Sequence, residues 1–105
     1  MAEVPNRIKE IIALYIKRLE ENSIPVRQAI LFGSYATGRF SEWSDIDLAI
    51  VSDAFEGSRI VDRAKLRKIS LDVSSDIETI PFRPEDFVAD DPFVREIMET
   101  GKPLL

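Results

Sequence analysis

Between Pro5 and about Asn22 the apolar residues Ile8, Ile11, Ile12, Tyr15 and Leu19 recur every three or four positions, the period of a helix with one buried stripe. Ser23-Ile24-Pro25 breaks that pattern. Ala29 to Phe32 is a short unbroken apolar run of the kind found in a buried strand, and Gly33 ends it. Ser34 to Gly38 suits a short helix, whereas Arg39 to Ser44 is polar and aperiodic and reads as a surface loop. A second strand is predicted over Ile46 to Val51, followed by turn residues from Asp53 to Gly57. Ser58 can cap a helix carrying Ile60, Val61, Ala64, Leu66, Ile69 and Val73, although its period is only moderate. Asp76 to Phe82 alternates polar and apolar residues as a half-buried strand does, with Pro81 and Pro84 to stop it. Asp91-Pro92 reads as the cap and first position of a last helix carrying Phe93, Ile97 and Met98. Gly101 closes that helix and leaves Lys102 to Leu105 as a tail.

The order helix, strand, short helix, strand, helix, strand, helix predicts an α/β (α+β) fold, a small mixed β-sheet packed against helices. Three strands make a thin sheet, so the Leu104-Leu105 end either adds to it or meets a partner. A length of 105 residues fits one domain over 1–105, and 45% hydrophobic with 31% charged residues suits a folded core. No apolar run is long enough to span a membrane and no secretory leader pattern opens the chain, so the expected location is cytoplasmic. With no cysteine and no histidine, thiolate and imidazole metal sites, histidine bases and serine-histidine triads are excluded. Chemistry must rest on carboxylates. A formal charge of −5 without a basic run disfavours nucleic acid as the primary partner.

One constellation can carry such chemistry. Gly33-Ser34 follows a strand, and ten residues later Asp45-Ile46-Asp47 heads the next one. Side chains two apart on a strand share a face, so Asp45 and Asp47 can present both carboxylates to one point while Ile46 turns inward. Mg²⁺ takes oxygen ligands and commonly one or two carboxylates together with substrate phosphates, and two such ions can serve both ends of a phosphoryl transfer. Gly33 lets the backbone approach a triphosphate, and the Ser34 hydroxyl with the nearby N–H groups can donate to its oxygens. A third carboxylate would hold the reactive ion or take the acceptor's proton. Asp76, opening the remaining strand, is the first choice, and Glu78 on the same predicted face is the reserve.

Gly33-Ser34, ten residues, then Asp45-x-Asp47 resembles the signature of the DNA polymerase β nucleotidyltransferase superfamily, in particular its minimal nucleotidyltransferase branch. Asp76-Ile77-Glu78-Thr79-Ile80-Pro81 looks, more loosely, like the strand supplying that family's third carboxylate. The resemblance runs roughly from Ile30 to Pro81. It implies a nucleotidyltransferase fold and two-metal, Mg²⁺-dependent transfer of a nucleoside monophosphate from an NTP, with release of pyrophosphate. Asp45, Asp47 and Asp76 would be catalytic metal ligands, and Gly33 and Ser34 triphosphate contacts. Many relatives carry arginine directly after Gly-Ser, where Tyr35 stands here. Arg39 either supplies the missing cationic phosphate contact or is an ordinary loop arginine. Trp43 either stacks on a base or serves in the loop as a packing lid or partner contact.

Larger relatives add a helical domain that grips nucleotide and acceptor. Its absence from this chain, together with the resemblance, points to the antitoxin-type members paired with helical HEPN toxins, which they modify with AMP. The expected function is therefore transfer of AMP from ATP to a HEPN partner protein. The alternative is a non-catalytic antitoxin that sequesters a helical partner. A small-molecule acceptor, as in aminoglycoside-modifying relatives, is disfavoured because little pocket remains, and homo-oligomers stay open.

Overall fold

The computed structural model describes residues 4–104, so the extreme ends of the expected 1–105 domain and Leu105 of the tail lie outside it. The elements are α1 (Asn6–Glu21), β1 (Gln28–Phe32), α2 (Ser34–Thr37), β2 (Ile46–Val51), α3 (Arg59–Val73), β3 (Ile77–Phe82), a 3₁₀ turn (Pro84–Asp86), α4 (Pro92–Thr100) and β4 (Lys102–Pro103). The strands form one mixed sheet in the order β3-β2-β1-β4. β1 runs antiparallel to β2 and to β4, while β2 and β3 are parallel and joined by the crossover helix α3. The fold class read from the sequence is the one observed, with one strand more.

Register divides the sheet into two faces. Phe32 pairs with Asp47 and Ile30 with Ala49, so these share a face, and Leu31 with Leu48 and Ala29 with Ile50 share the other. In β3, Glu78 lies beside Asp47, Ile80 beside Ala49 and Phe82 beside Val51. The second face is covered by α1 and α3. Leu31, Leu48, Ile50 and Ile77 pack there with Ile8, Ile12, Tyr15, Leu19, Leu66 and Ile69. Each fully buried aliphatic side chain contributes about 1.5–3 kcal/mol, which makes this the principal source of stability. The Tyr15 hydroxyl donates to the Leu66 carbonyl at 3.3 Å, and burial pushes its pKa above the usual tyrosine range. On the first face, Ile30, Ala49, Val51 and Phe82 pack against Phe87, Val94 and Ile97. That apolar cover stops short of Asp47 and Glu78.

Three sequence expectations need correction. The tail does join the sheet, but through Lys102–Pro103, which pair with Leu31 and Ile30. Gly101 makes this possible, since a Cβ there would run into the Ile97 carbonyl and the Ile30 side chain. Pro81 lies inside β3 and does not stop it, because β3 is an edge strand and its outer side needs no N–H. The buried stripes also differ in detail. α3 buries Leu66 and Ile69 but leaves Ile60 and Val61 exposed, and α4 buries Val94 and Ile97 in preference to Phe93 and Met98.

The caps read from the sequence are present. The Ser58 hydroxyl accepts from the Val61 N–H at 3.4 Å and the Asp91 carboxylate from the Phe93 N–H at 2.9 Å. An unforeseen anchor is Asp62 on α3, only 2% exposed, whose two carboxylate oxygens accept from the Glu56 and Gly57 N–H groups at 2.9 Å each. It ties the β2–α3 turn to the helix.

Candidate active site

β1 ends in a bend that only glycine can make. Gly33 has φ 73° and ψ −151°, and a Cβ there would collide with the Asp47 carboxylate across the strand pair. The bend is held by its own helix. The Gly33 carbonyl accepts from the Ala36 and Thr37 N–H groups at 3.1 and 3.2 Å and from the Thr37 hydroxyl at 3.3 Å. Thr37, which the sequence reading passed over, is therefore part of the bend. The first N–H groups of a helix have no partner within it, so those of Ser34 and Tyr35 stay available. The Ser34 hydroxyl has no hydrogen-bond partner among the described residues. Gly38, in the left-handed conformation, closes α2.

Tyr35 is core: it is 2% exposed and stacks on Phe40, with ring centroids 4.8 Å apart. Arg39 and Trp43 lie beyond it in the exposed loop. Arg39 enters no ion pair among the described residues, and Trp43 is 85% exposed.

Asp45 immediately precedes β2 and Asp47 lies within it, half-buried. Burial raises the Asp47 pKa above the usual carboxylate value, and the negative charges of Asp45 and Glu78 add to the shift. Three acids are thus coupled, and the third is Glu78, Asp47's register partner on β3. Asp76 sits one residue before β3 in an exposed turn. Its carbonyl accepts from the Ile46 N–H at 2.8 Å and its own N–H donates to the Ser74 hydroxyl at 3.2 Å. Its backbone therefore aligns β2 with β3. Sequence alternation put Asp76 and Glu78 on one face, with Asp76 preferred because it opens the strand; the strand register is what sets Glu78 beside Asp47. Phe32, paired with Asp47, and Phe93, whose ring meets Phe32 edge-on at 6.0 Å, form an apolar wall beside the acids.

Among the described residues, no three acidic side chains stand grouped closely enough to hold a metal ion by themselves. The donor set still suits a hard divalent cation. Asp47, desolvated and facing the negative charges of Asp45 and Glu78, is short of positive charge, and Mg²⁺ is often held by one or two carboxylates with substrate oxygens completing the shell. A larger cavity of about 530 Å³ lies at the opposite end of β3, beside Phe82. Two of its ionic groups are already engaged, Asp62 with the turn N–H groups and Arg83 with Asp86 at 2.7 Å. No helix among the described residues is long and apolar enough to cross a membrane.

Comparison with known proteins agrees with this geometry. The model of the nucleotidyltransferase domain family matches residues 12–104, well beyond the stretch carrying the motif. A search of curated proteins finds no match. Among solved structures, a toxin-antitoxin complex with AMP-PNP is similar at 28% identity and a TM-score of 0.60, over 86% of this chain and 68% of that one. The mutant MntA-HpeT toxin-antitoxin complex aligns with a TM-score of 0.62 at 24% identity, over 93% of this chain and 72% of that one. A Sulfolobus solfataricus protein described as a nucleotidyltransferase aligns with a TM-score of 0.59 at 19% identity, over 98% and 89% of the two chains. These last two likenesses speak for the fold alone. With its family model, its fold and its glycine bend beside paired aspartates in agreement, this chain belongs to the nucleotidyltransferase domain family and is a nucleotidyltransferase related to those of toxin-antitoxin pairs.

Proposed function

We propose that the protein transfers AMP from ATP to a hydroxyl group on a helical partner protein of the HEPN type, acting as the antitoxin of a toxin-antitoxin pair. The observation that carries this reading is the close approach of the Gly33 backbone to the Asp47 carboxylate, which leaves no room for a Cβ. The pKa of that carboxylate is raised by burial and then by the charges of Asp45 and Glu78. Support for ATP comes from the AMP-PNP in a related toxin-antitoxin structure.

In this scheme the Gly33-Ser34 bend holds the triphosphate through backbone N–H groups and the Ser34 hydroxyl, with Arg39 free to swing onto the outer phosphates. Asp45 and Asp47 are the ligands of two Mg²⁺ ions. When bound, these supply charge neutralisation at the phosphates and at the attacking and leaving oxygens. The acceptor oxygen bonds to the α-phosphorus as the bond to the bridging oxygen breaks, and pyrophosphate leaves with that electron pair. A carboxylate receives the acceptor's proton. Glu78 suits this third role better than Asp76, because it faces Asp47 in register and acts on its charge.

The test incubates the protein with Mg²⁺, α-labelled ATP and candidate helical partners. Label on the partner that disappears with Asp47→Asn and with Glu78→Gln, but persists with Asp76→Asn, supports the scheme. Loss with Asp76→Asn and survival with Glu78→Gln would reverse the third assignment. Tight partner binding without label transfer, indifferent to Asp47→Asn, would favour sequestration over catalysis.

A further inference from the structure

α3 carries a charge at odds with the rest of the chain. In a protein of formal charge −5, this one helix holds Arg59, Arg63, Lys65, Arg67 and Lys68, against Asp72 and an Asp62 already committed to the turn N–H groups. Lys65 pairs with Glu56 at 3.1 Å; Arg59, Arg63, Arg67 and Lys68 enter no ion pair among the described residues. Arg63 and Arg67, one turn apart and exposed, line a groove of about 230 Å³ against β3. Ile60, 83% exposed, and Ala64 add apolar surface to its lining, and Glu78 lines it too.

The groove follows an open sheet edge. β3 ends the strand order, and at its two ends the carbonyls of Asp76 and Phe82 accept from Ile46, which opens β2, and from Ser52, just past its end. Strand alternation therefore turns the backbone groups of even-numbered β3 residues toward β2 and those of Ile77, Thr79 and Pro81 outward. Pro81 has no N–H to offer. Thr79, with both N–H and C=O facing out, is the point where another strand can pair.

We infer that this edge is the acceptor's docking site: an extended acidic segment of the partner protein adds to β3 at Thr79, placing carboxylates on Arg63 and Arg67 and an apolar side chain on Ile60. The inference rests on the nucleotidyl-transfer reading and deepens it, since the segment would lead toward Glu78. Backbone pairing would give such a segment its affinity and the two arginines its charge preference. An edge with strand-pairing groups and an exposed apolar side chain beside it fits a peptide better than a nucleic acid backbone, which would use the cations alone.

The experiment follows backbone amide resonances of the intact protein during titration with a short peptide of alternating glutamate and valine. Polyuridylate and Mg²⁺ with ATP are titrated separately. Expected are shifts at Thr79 and along α3, slowed hydrogen exchange of the Thr79 amide, and about tenfold weaker peptide binding in the Arg63→Glu, Arg67→Glu double variant. Both side chains are exposed, and an unchanged ATP response at Gly33 and Asp47 verifies that the double variant is folded. Resonances of Thr79 and α3 unmoved by millimolar peptide would overturn the docking site, as would polyuridylate binding α3 more tightly than the peptide does. Peptide binding with no ATP response at Gly33, Asp47 and Glu78 would instead overturn the transfer reading and leave the peptide surface standing.

Discussion

Asp47 shows how a functional side chain works against its own fold. Burial, Asp45 and Glu78 raise its pKa above the ordinary 3.8 that the unfolded chain retains. Between those two values the folded protein keeps a proton that the unfolded chain releases, so stability falls as pH rises through that window and stays lowered above it. Asp47→Asn is therefore expected to raise the melting temperature at neutral pH in the absence of metal, and to lose that advantage below pH 3.8. Mg²⁺ with ATP should stabilise the wild type and leave the variant unmoved; thermal melts across pH with and without the ligand read both effects. Gly33→Ala is expected to cost at least about 1–3 kcal/mol in backbone strain and, because its Cβ meets the Asp47 carboxylate, to remove activity as well. Denaturant unfolding and label transfer would then both fall, and full stability with full activity would show that the bend is not as tight as described.

Among the elements, those whose environment is encoded locally were legible in the sequence. α1 shows its buried Ile8, Ile12, Tyr15 and Leu19 in its period, β2 is an apolar run behind two aspartates, and the caps Ser58 and Asp91 are where their residue types suggest. What stayed hidden depends on partners distant in sequence. β4 exists because Gly101 lets the chain fold back beside β1, and the neighbour of Asp47 is set by a parallel register that no local pattern reveals. Ile60 has helical spacing yet lies outside the core, in the first turn of α3. Asp62 has a role that no local pattern marks, because its partners are the backbone N–H groups of the preceding turn. Truncating it to alanine strips two turn N–H groups of their acceptor, and is expected to destabilise by about 2 kcal/mol or more in chemical denaturation. Trp43→Ala, on an exposed loop, should change stability by less than about 0.5 kcal/mol in the same measurement.

At the scale of the whole molecule the two sheet faces divide the labour. One is sealed by α1 and α3 and supplies most of the stability; the other is covered over only part of its length by α4, and its uncovered end holds Asp47 and Glu78. The sheet's two outer margins are equally unequal, since β4 is two residues long whereas β3 runs for six. A six-residue margin with every amide free would be a template on which copies of the chain could stack into fibrils. Pro81 interrupts that template after Thr79 and so acts as a gatekeeper, shortening what can be added while sparing the part nearest the acids. Solubility and recruitment would then be balanced at a single imino acid.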